Sequence, residues 1–248
     1  METIKKPYRY MRKRMRLYLK VNWIKSLYFN FKMLPFAQAR HLPILFYGPV
    51  SFGKLTGTIE LPKLCKMGLV GFGQPYELVT KTRRAAELHL EGCITFRGYA
   101  QIGIDYFVHV GQNASLEMGN MSSIASNGKV ICHHYISLGD YARVGSEAQL
   151  IDTNFHQMIH TKTRERYPMH GPIRLGSYNY ISNRVTVLQG TKTGDHCTVA
   201  SNTLCTKDYS DWGQNILIGG VPAQKLKTDI ARDWASEQEL MERYLILY

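Results

Sequence analysis

Every sixth residue from Leu175 is aliphatic or small: Leu175, Ile181, Val187, Thr193, Val199 and Cys205. The positions four places further on, Asn179, Val185, Thr191, Cys197 and Thr203, are mostly compact. The upstream half carries the same unit. Leu138, Val144 and Leu150 stand six apart, as do Ile124 and Val130. The pairs Ile102-Gly103, Val110-Gly111, Met118-Gly119 and Leu138-Gly139 repeat an aliphatic followed by a glycine, with some gaps of eight.

A unit this short holds a strand of roughly four residues and a corner, and three units close a triangular turn of roughly eighteen. The aliphatic points inward and stacks on its equivalents in the neighbouring turns, so apolar surface is buried only by stacking. The compact position suits the narrow interior of a corner. Glycine after the aliphatic is expected to supply a positive φ there. A β-sandwich would space its strands by roughly 8–12 residues, so the period selects a parallel β-helix.

Residues 34–90 read differently. Short apolar runs at Leu42–Tyr47, Gly57–Leu61 and Cys65–Phe72 are broken by Gly and Pro, which predicts short strands between turns. The glycines from Gly68 to Gly73 lack the GxGxxG spacing and have no helix signal after them, so they are turns and not a phosphate loop. Residues 228–248 alternate acids with Ile230, Trp234, Leu240, Tyr244 and Leu247, which predicts an amphipathic helix packed on the coil or on a neighbouring subunit. The expected organisation is a basic arm at 1–35, a short-strand region at 36–87, a coil at 88–227 with a loop at 152–174, and a C-terminal helix at 228–248.

The formal net charge of the 248 residues is +12, and it is concentrated in one segment. Residues 1–35 hold ten bases (Lys5, Lys6, Arg9, Arg12, Lys13, Arg14, Arg16, Lys20, Lys25 and Lys32) against Glu2, which accounts for +9. The remainder is nearly neutral, which argues against an extended nucleic-acid surface. Within the arm, Met11, Met15, Tyr18 and Asn22 fall at helical spacing among bases and aromatics. Such a helix can dock on its own domain, lie on an anionic membrane surface or touch nucleic-acid phosphates. No nucleic-acid fold signature supports the last, so no nucleic-acid partner is expected. The chain has no run of 18 apolar residues to span a bilayer. No apolar segment with a small-residue cleavage site follows the basic start. Five cysteines, 65, 93, 132, 197 and 205, form no Cys-x-x-Cys pair. They read as reduced thiols in a cytoplasmic protein, at most at the inner face of a membrane.

Three segments carry a resemblance: Gly171-Pro-Ile-Arg-Leu-Gly-Ser-Tyr-Asn-Tyr-Ile-Ser-Asn183, Val199-Ala-Ser-Asn-Thr-Leu-Cys-Thr-Lys-Asp208 and Ile218-Gly-Gly-Val-Pro-Ala-Gln-Lys-Leu-Lys227. Together they resemble the hexapeptide-repeat acyltransferase family over residues 88–228. The nearest likeness is to the galactoside- and maltose-acetyltransferase branch, with the O-acetyltransferases of polysaccharide biosynthesis. The resemblance implies a left-handed parallel β-helix, a homotrimer, and direct acetyl transfer from acetyl-CoA to a saccharide acceptor. An N-acetyltransferase of an amino-sugar nucleotide is the alternative, and a non-catalytic β-helix a third. Tyr180 stands where the family more often has Trp, and Gln224 where it has Lys or Arg.

The period breaks at residues 152–172, which must leave the coil as a loop. Asp152-Thr-Asn-Phe-His156 resembles the family segment whose histidine is the catalytic base. A sugar hydroxyl is a poor nucleophile near neutrality, and a neutral imidazole can take its proton as it attacks. Asp152 is the candidate to fix the ring tautomer, and Asn154 to orient or bind substrate. A backbone N–H near Ser182–Asn183 would stabilise the oxyanion. By the same resemblance Asn183, Ser201, Thr206, Lys207, Lys225 and Lys227 contact CoA. His160 and His170 share the loop with His156. His133 and His134 read as coil surface or subunit interface, and no ligand spacing calls for a metal.

Overall fold

The computed structural model describes residues 15, 17–75 and 85–245. Strands stack into three flat faces in which each neighbouring pair is parallel. The first face runs β1 (Ile44–Phe46), β4 (Val70–Phe72), β7 (Ala100–Ile102), β10 (Ser122–Ile124), β13 (Arg143–Val144), β16 (Tyr180–Ile181), β18 (Thr198–Val199) and β20 (Leu217–Gly219). The second runs β2 (Val50–Leu55), β5 (Ala86–Leu90), β8 (Phe107–Val110), β11 (Lys129–Cys132), β14 (Gln149–Ile151), β17 (Thr186–Leu188) and β19 (Leu204–Cys205). The third runs β3 (Thr58–Glu60), β6 (Cys93–Phe96), β9 (Ser115–Met118), β12 (Tyr135–Leu138) and β15 (Ile173–Leu175), and is continued by bridges from Arg174 to Lys192 and on to Asp208.

One coil is eighteen residues where Tyr180 pairs with Thr198 and Thr186 with Leu204. Upstream it widens to twenty-two, where Phe107 pairs with Lys129. The inward column is continuous. Leu88, Val108, Val130, Leu150, Val187 and Cys205 stack in register along the second face, all essentially buried. Each such aliphatic contributes about 1.5–3 kcal/mol when fully buried. The compact positions Asn179, Val185, Thr191, Cys197 and Thr203 are buried as well. Asn179 is satisfied inside: its Nδ2 donates to Thr193 Oγ1, and its Oδ1 accepts from the Cys197 N–H at 2.7 Å. The five cysteines are free thiols. Burial pushes those of Cys197 and Cys205 up to about 12.

Positive φ falls elsewhere than the sequence suggests. The left-handed corners are Asn113, Met121, Asn127, Tyr141, Glu147, Tyr178, Arg184, His196 and Asn202, with φ between 55° and 62°. The glycine of the aliphatic–glycine pair serves a different need, the close approach of neighbouring coils. A Cβ on Gly139 would lie 2.5 Å from the Ser177 nitrogen, and one on Gly119 would lie 2.5 Å from the Gly139 carbonyl carbon.

The coil begins at Ile44 and not near residue 88. The expected short-strand region is itself coil. Its period is hidden because Ile44 pairs with Val70 and Val50 with Ala86, twenty-six and thirty-six residues on, and because aromatics fill its interior. Phe46 stacks on Phe72 at 5.0 Å, and Phe72 meets Phe96 and Tyr106 at 6.1 and 5.5 Å.

Helix α1 (Trp23–Met33) closes this end, followed by the single turn α2 (Phe36–Ala39). Asn22 is the N-cap, its side chain accepting from the Lys25 N–H at 3.2 Å. The helix therefore starts at the Asn22 cap, where the arm reading ran one helical stripe through it. Met11 of that stripe lies outside the described residues. Side chains of α1 act as the missing strand beside β1. Ser26 Oγ accepts from the Phe46 N–H at 2.9 Å. Asn30 Oδ1 accepts from the Ile44 N–H at 3.2 Å, and its Nδ2 donates to the Ile44 carbonyl at 2.6 Å. The Asn22 N–H donates to the Phe46 carbonyl at 2.8 Å.

At the other end β21 (Gln224–Lys227) folds back antiparallel on β20. Helix α3 (Trp234–Leu245) starts six residues later than the sequence suggests and lies along the side of the coil. Trp234 is buried with Met121 and Tyr141 and meets Tyr178 edge-on at 5.7 Å. The Tyr141 hydroxyl donates to Glu242, and burial together with that bond pushes Tyr141 up to about 12.

The substitution Asn30→Leu keeps the volume and strips the Ile44 N–H and C=O of their partners. It is expected to cost about 1–3 kcal/mol, read as a lower denaturation midpoint.

Candidate active site

The period-breaking segment leaves β14 at Asp152 and re-enters the third face at Ile173. It folds as an irregular antiparallel hairpin. Thr153 pairs with His170 and Ile159 with Arg166, and the Gly171 N–H donates to the Asp152 carbonyl at 3.1 Å. The Tyr167 N–H donates to the Met158 carbonyl at 2.9 Å, and Gln157 Nε2 donates to the carbonyls of Met158 and Tyr167. The hairpin raises the His156 ring into solvent. The His156 N–H donates to the Asn154 carbonyl at 2.7 Å, and no side-chain hydrogen bond to the ring is present among the described residues. His160 at the tip accepts from the Thr163 N–H at 3.1 Å through Nδ1.

Asp152 does not hold the His156 ring. Its carboxylate is fully buried and accepts from the backbone N–H groups of His133 and His134 at 2.7 and 2.8 Å. A short side chain at this inward position, one step before the hairpin, reaches only the corner of the coil beneath. Asp152 therefore anchors the root of the hairpin.

Histidines climb the outside of the coil towards that root. Ring centroids are 5.6 Å apart for His89 and His109, 5.1 Å for His109 and His133, and 6.0 Å for the parallel rings of His133 and His170. Phe155 meets His133 edge-on at 5.6 Å. The sequence reading placed His133 on the coil surface or at a subunit interface. The ladder comes from register, which pairs His89 with His109 across adjacent strands. Among the described residues no group of His, Cys, Asp and Glu is arranged to hold a metal.

Between the hairpin and the coil corner at Gln189–Gly190 lies a cavity of about 580 Å³, lined by Asn154, Met158, Tyr167, His170 and Gln189, among others. Two polar atoms there, His170 Nδ1 and Gln189 Oε1, are buried without a hydrogen-bond partner. Gln189 escaped the sequence reading because it carries no motif.

The other candidates fall into two groups. Asn183 and Ser201 sit one coil apart on the same corner, as Ile181 pairs with Val199. The Asn183 side chain accepts from the Ser146 N–H of the coil before, at 3.2 Å. The Ser182 N–H, considered for the oxyanion, is engaged by the Val199 carbonyl at 2.9 Å.

Lys207 and Lys225 converge on Trp212, with Nζ atoms 4.9 and 5.5 Å from its ring, and Lys225 donates to the Trp212 carbonyl at 3.0 Å. Neither lysine has an ion pair among the described residues. The Thr206 N–H donates to the Tyr209 hydroxyl, and Lys227 stands two residues beyond Lys225 on β21. Trp212 was missed by sequence, although it stands only four residues after Asp208 of the Thr206-Lys207-Asp208 motif. The Asp208 carboxyl pairs with Lys192 at 2.8 Å. Hydrogen bonds from Lys192 and then Ser210 hold it down at about 2.

Three parallel faces, a six-residue period and an excursion bearing polar side chains define a triangular β-helix interrupted by one hairpin. No protein-family model matches the chain, and no curated protein does. Solved structures do. It is similar to the polysialic-acid-specific acetyltransferase NeuO at 16% identity, over 77% of this chain and 78% of that one, with a TM-score of 0.44. It is similar to the polysialic acid O-acetyltransferase OatWY at 16% identity, over 75% and 91%, with a TM-score of 0.40. A variant of AntD, an N-acyltransferase from Bacillus cereus in complex with dTDP and coenzyme A, is 14% identical over 80% and 87%, with a TM-score of 0.40.

Asp152→Ala leaves two part-buried N–H groups without their carboxylate partner and is expected to lower stability, on the order of 1–3 kcal/mol in total. A fall in kcat with an unchanged melting temperature would contradict the anchoring role. Burial, then His133 and His89, push His109 below its ordinary value. The folded chain thus binds fewer protons than the unfolded one, and acidification below about pH 6.5 favours unfolding. Melting temperature is expected to fall from pH 7.5 to 5.5, and His109→Gln to flatten that fall.

Proposed function

We propose that the chain is an acetyl-CoA-dependent O-acetyltransferase, transferring an acetyl group to a saccharide hydroxyl in surface-polysaccharide assembly. In this reading the coil is left-handed and the working unit is a homotrimer. The observation that carries it is the hairpin, which holds His156 in solvent between Asn154 and Met158, two residues that line a cavity with orphaned polar atoms. A ring of hydroxyls supplies donors and acceptors for the Asn154 amide and the Tyr167 hydroxyl, both on exposed lining residues. Exposed Phe155, Met158 and Tyr167 on the hairpin supply apolar surface for a neighbouring subunit.

His156 takes the acceptor proton as the hydroxyl attacks, and returns it to the departing sulfur. Acetyl-CoA supplies the activated acyl group as a thioester. Lys207 and Lys225, two ammonium groups beside the Trp212 indole, suit a phosphorylated nucleotide, with Thr206 and Lys227 on the adjoining backbone. Asn183 and Ser201 offer polar groups one coil apart for the pantetheine arm.

His156→Ala is expected to reduce acetyl transfer to the acceptor by roughly 10²–10⁴-fold at unchanged melting temperature, because the ring is exposed and holds nothing in place. The assay follows CoA release over a panel of glycans and nucleotide-linked amino sugars. Full activity in the variant would remove His156 as the base. Turnover with the amines alone would replace the hydroxyl acceptor by an amine.

A further inference from the structure

A helix lying on a domain normally turns its apolar side inward. α1 is reversed. Its inward stripe contains Ser26 and Asn30, fully buried and bonded to the open edge of β1, beside Phe29. Its outward stripe is Trp23, Ile24, Leu27, Tyr28 and Phe31, with Ile24 81% and Phe31 50% exposed. Phe31 meets Phe36 at 6.2 Å, so the patch continues onto α2, and Leu19 is exposed before it. Capping the strand edge places the polar residues inside, which leaves apolar surface facing water. A contiguous patch of this kind marks an interaction surface.

The charge around it selects the partner. Lys20 and Arg40 are exposed at the two ends, and Lys32 lies along the edge of the stripe with Nζ 3.2 Å from the Tyr28 hydroxyl. Residues 3–59 contain no Asp or Glu at all, and six further bases, Lys5 to Arg14, precede the described residues. A second copy of the same surface would bring lysine against lysine without a counter-charge. An apolar stripe with interfacial Trp and Tyr, framed by bases only, matches anionic phospholipid. We propose that α1 and α2 form a face by which the first-coil end of the β-helix docks peripherally on an anionic phospholipid membrane. This inference does not rest on the acyl-transfer reading.

The test is cosedimentation of the full chain with vesicles of phosphatidylcholine alone and of an equal mixture with phosphatidylglycerol. Binding to the mixed vesicles is expected to be at least roughly ten-fold tighter, and to weaken with salt. The double variant Ile24→Ser with Phe31→Ser keeps every base and should melt as the parent does, since both side chains face outward. It is expected to lose roughly ten-fold or more in affinity for the mixed vesicles. Unchanged binding of that variant would mean that charge alone acts and would overturn the face. So would failure of the parent chain to bind. A lipid-free self-association abolished by the double variant would assign the patch to a second copy instead.

Discussion

A parallel β-helix rests on one constraint: each strand satisfies its backbone only through the coil above and the coil below. Within the stack this is automatic, since register repeats from Tyr180 to Thr198 and on to Leu217. At the ends it fails, and this chain meets the failure in two ways. At one end the side chains of Ser26 and Asn30, one helical turn apart, imitate a strand beside β1. At the other end the chain folds back on itself as β21. The first solution fixes which residues α1 turns inward, and through them what it shows to solvent.

The same constraint decides which parts of the fold were legible. The coil from Arg174 to Leu204 holds an eighteen-residue turn, so Leu175 to Cys205 and their compact partners revealed both period and inward face. The first coils obey the same geometry with corners long enough to erase the period, and with phenylalanine where aliphatics would announce it. The glycines were noticed for the right positions and the wrong reason. A gap between coils is a relation between residues about twenty positions apart, as Gly139 approaching Ser177 across the hairpin shows at its most distant. Single-chain turn chemistry contains no such information.

The site divides along similar lines. A loop was readable from the broken period, and the hairpin found there carries an exposed His156. Asp152 was misread because neighbours in sequence suggested a pair, while burial directed its carboxylate to the coil below. Gln189 and the histidine ladder depend on which coils stack, so no local pattern discloses them. The nearly neutral body makes the two lysines beside Trp212, unpaired among the described residues, stand out.

The hairpin has a consequence for how such a chain can diverge. Its two ends are tied together at the root, by the Gly171 N–H on the Asp152 carbonyl and the pairing of Thr153 with His170. The coil resumes in unbroken register, Ile136 beside Ile173 and Leu138 beside Leu175. Lengthening a closed loop adds little entropy, only about 0.6 kcal/mol per doubling. The excursion is therefore a cassette. Its length and lining can be exchanged wholesale while the stacked coils on either side are left untouched.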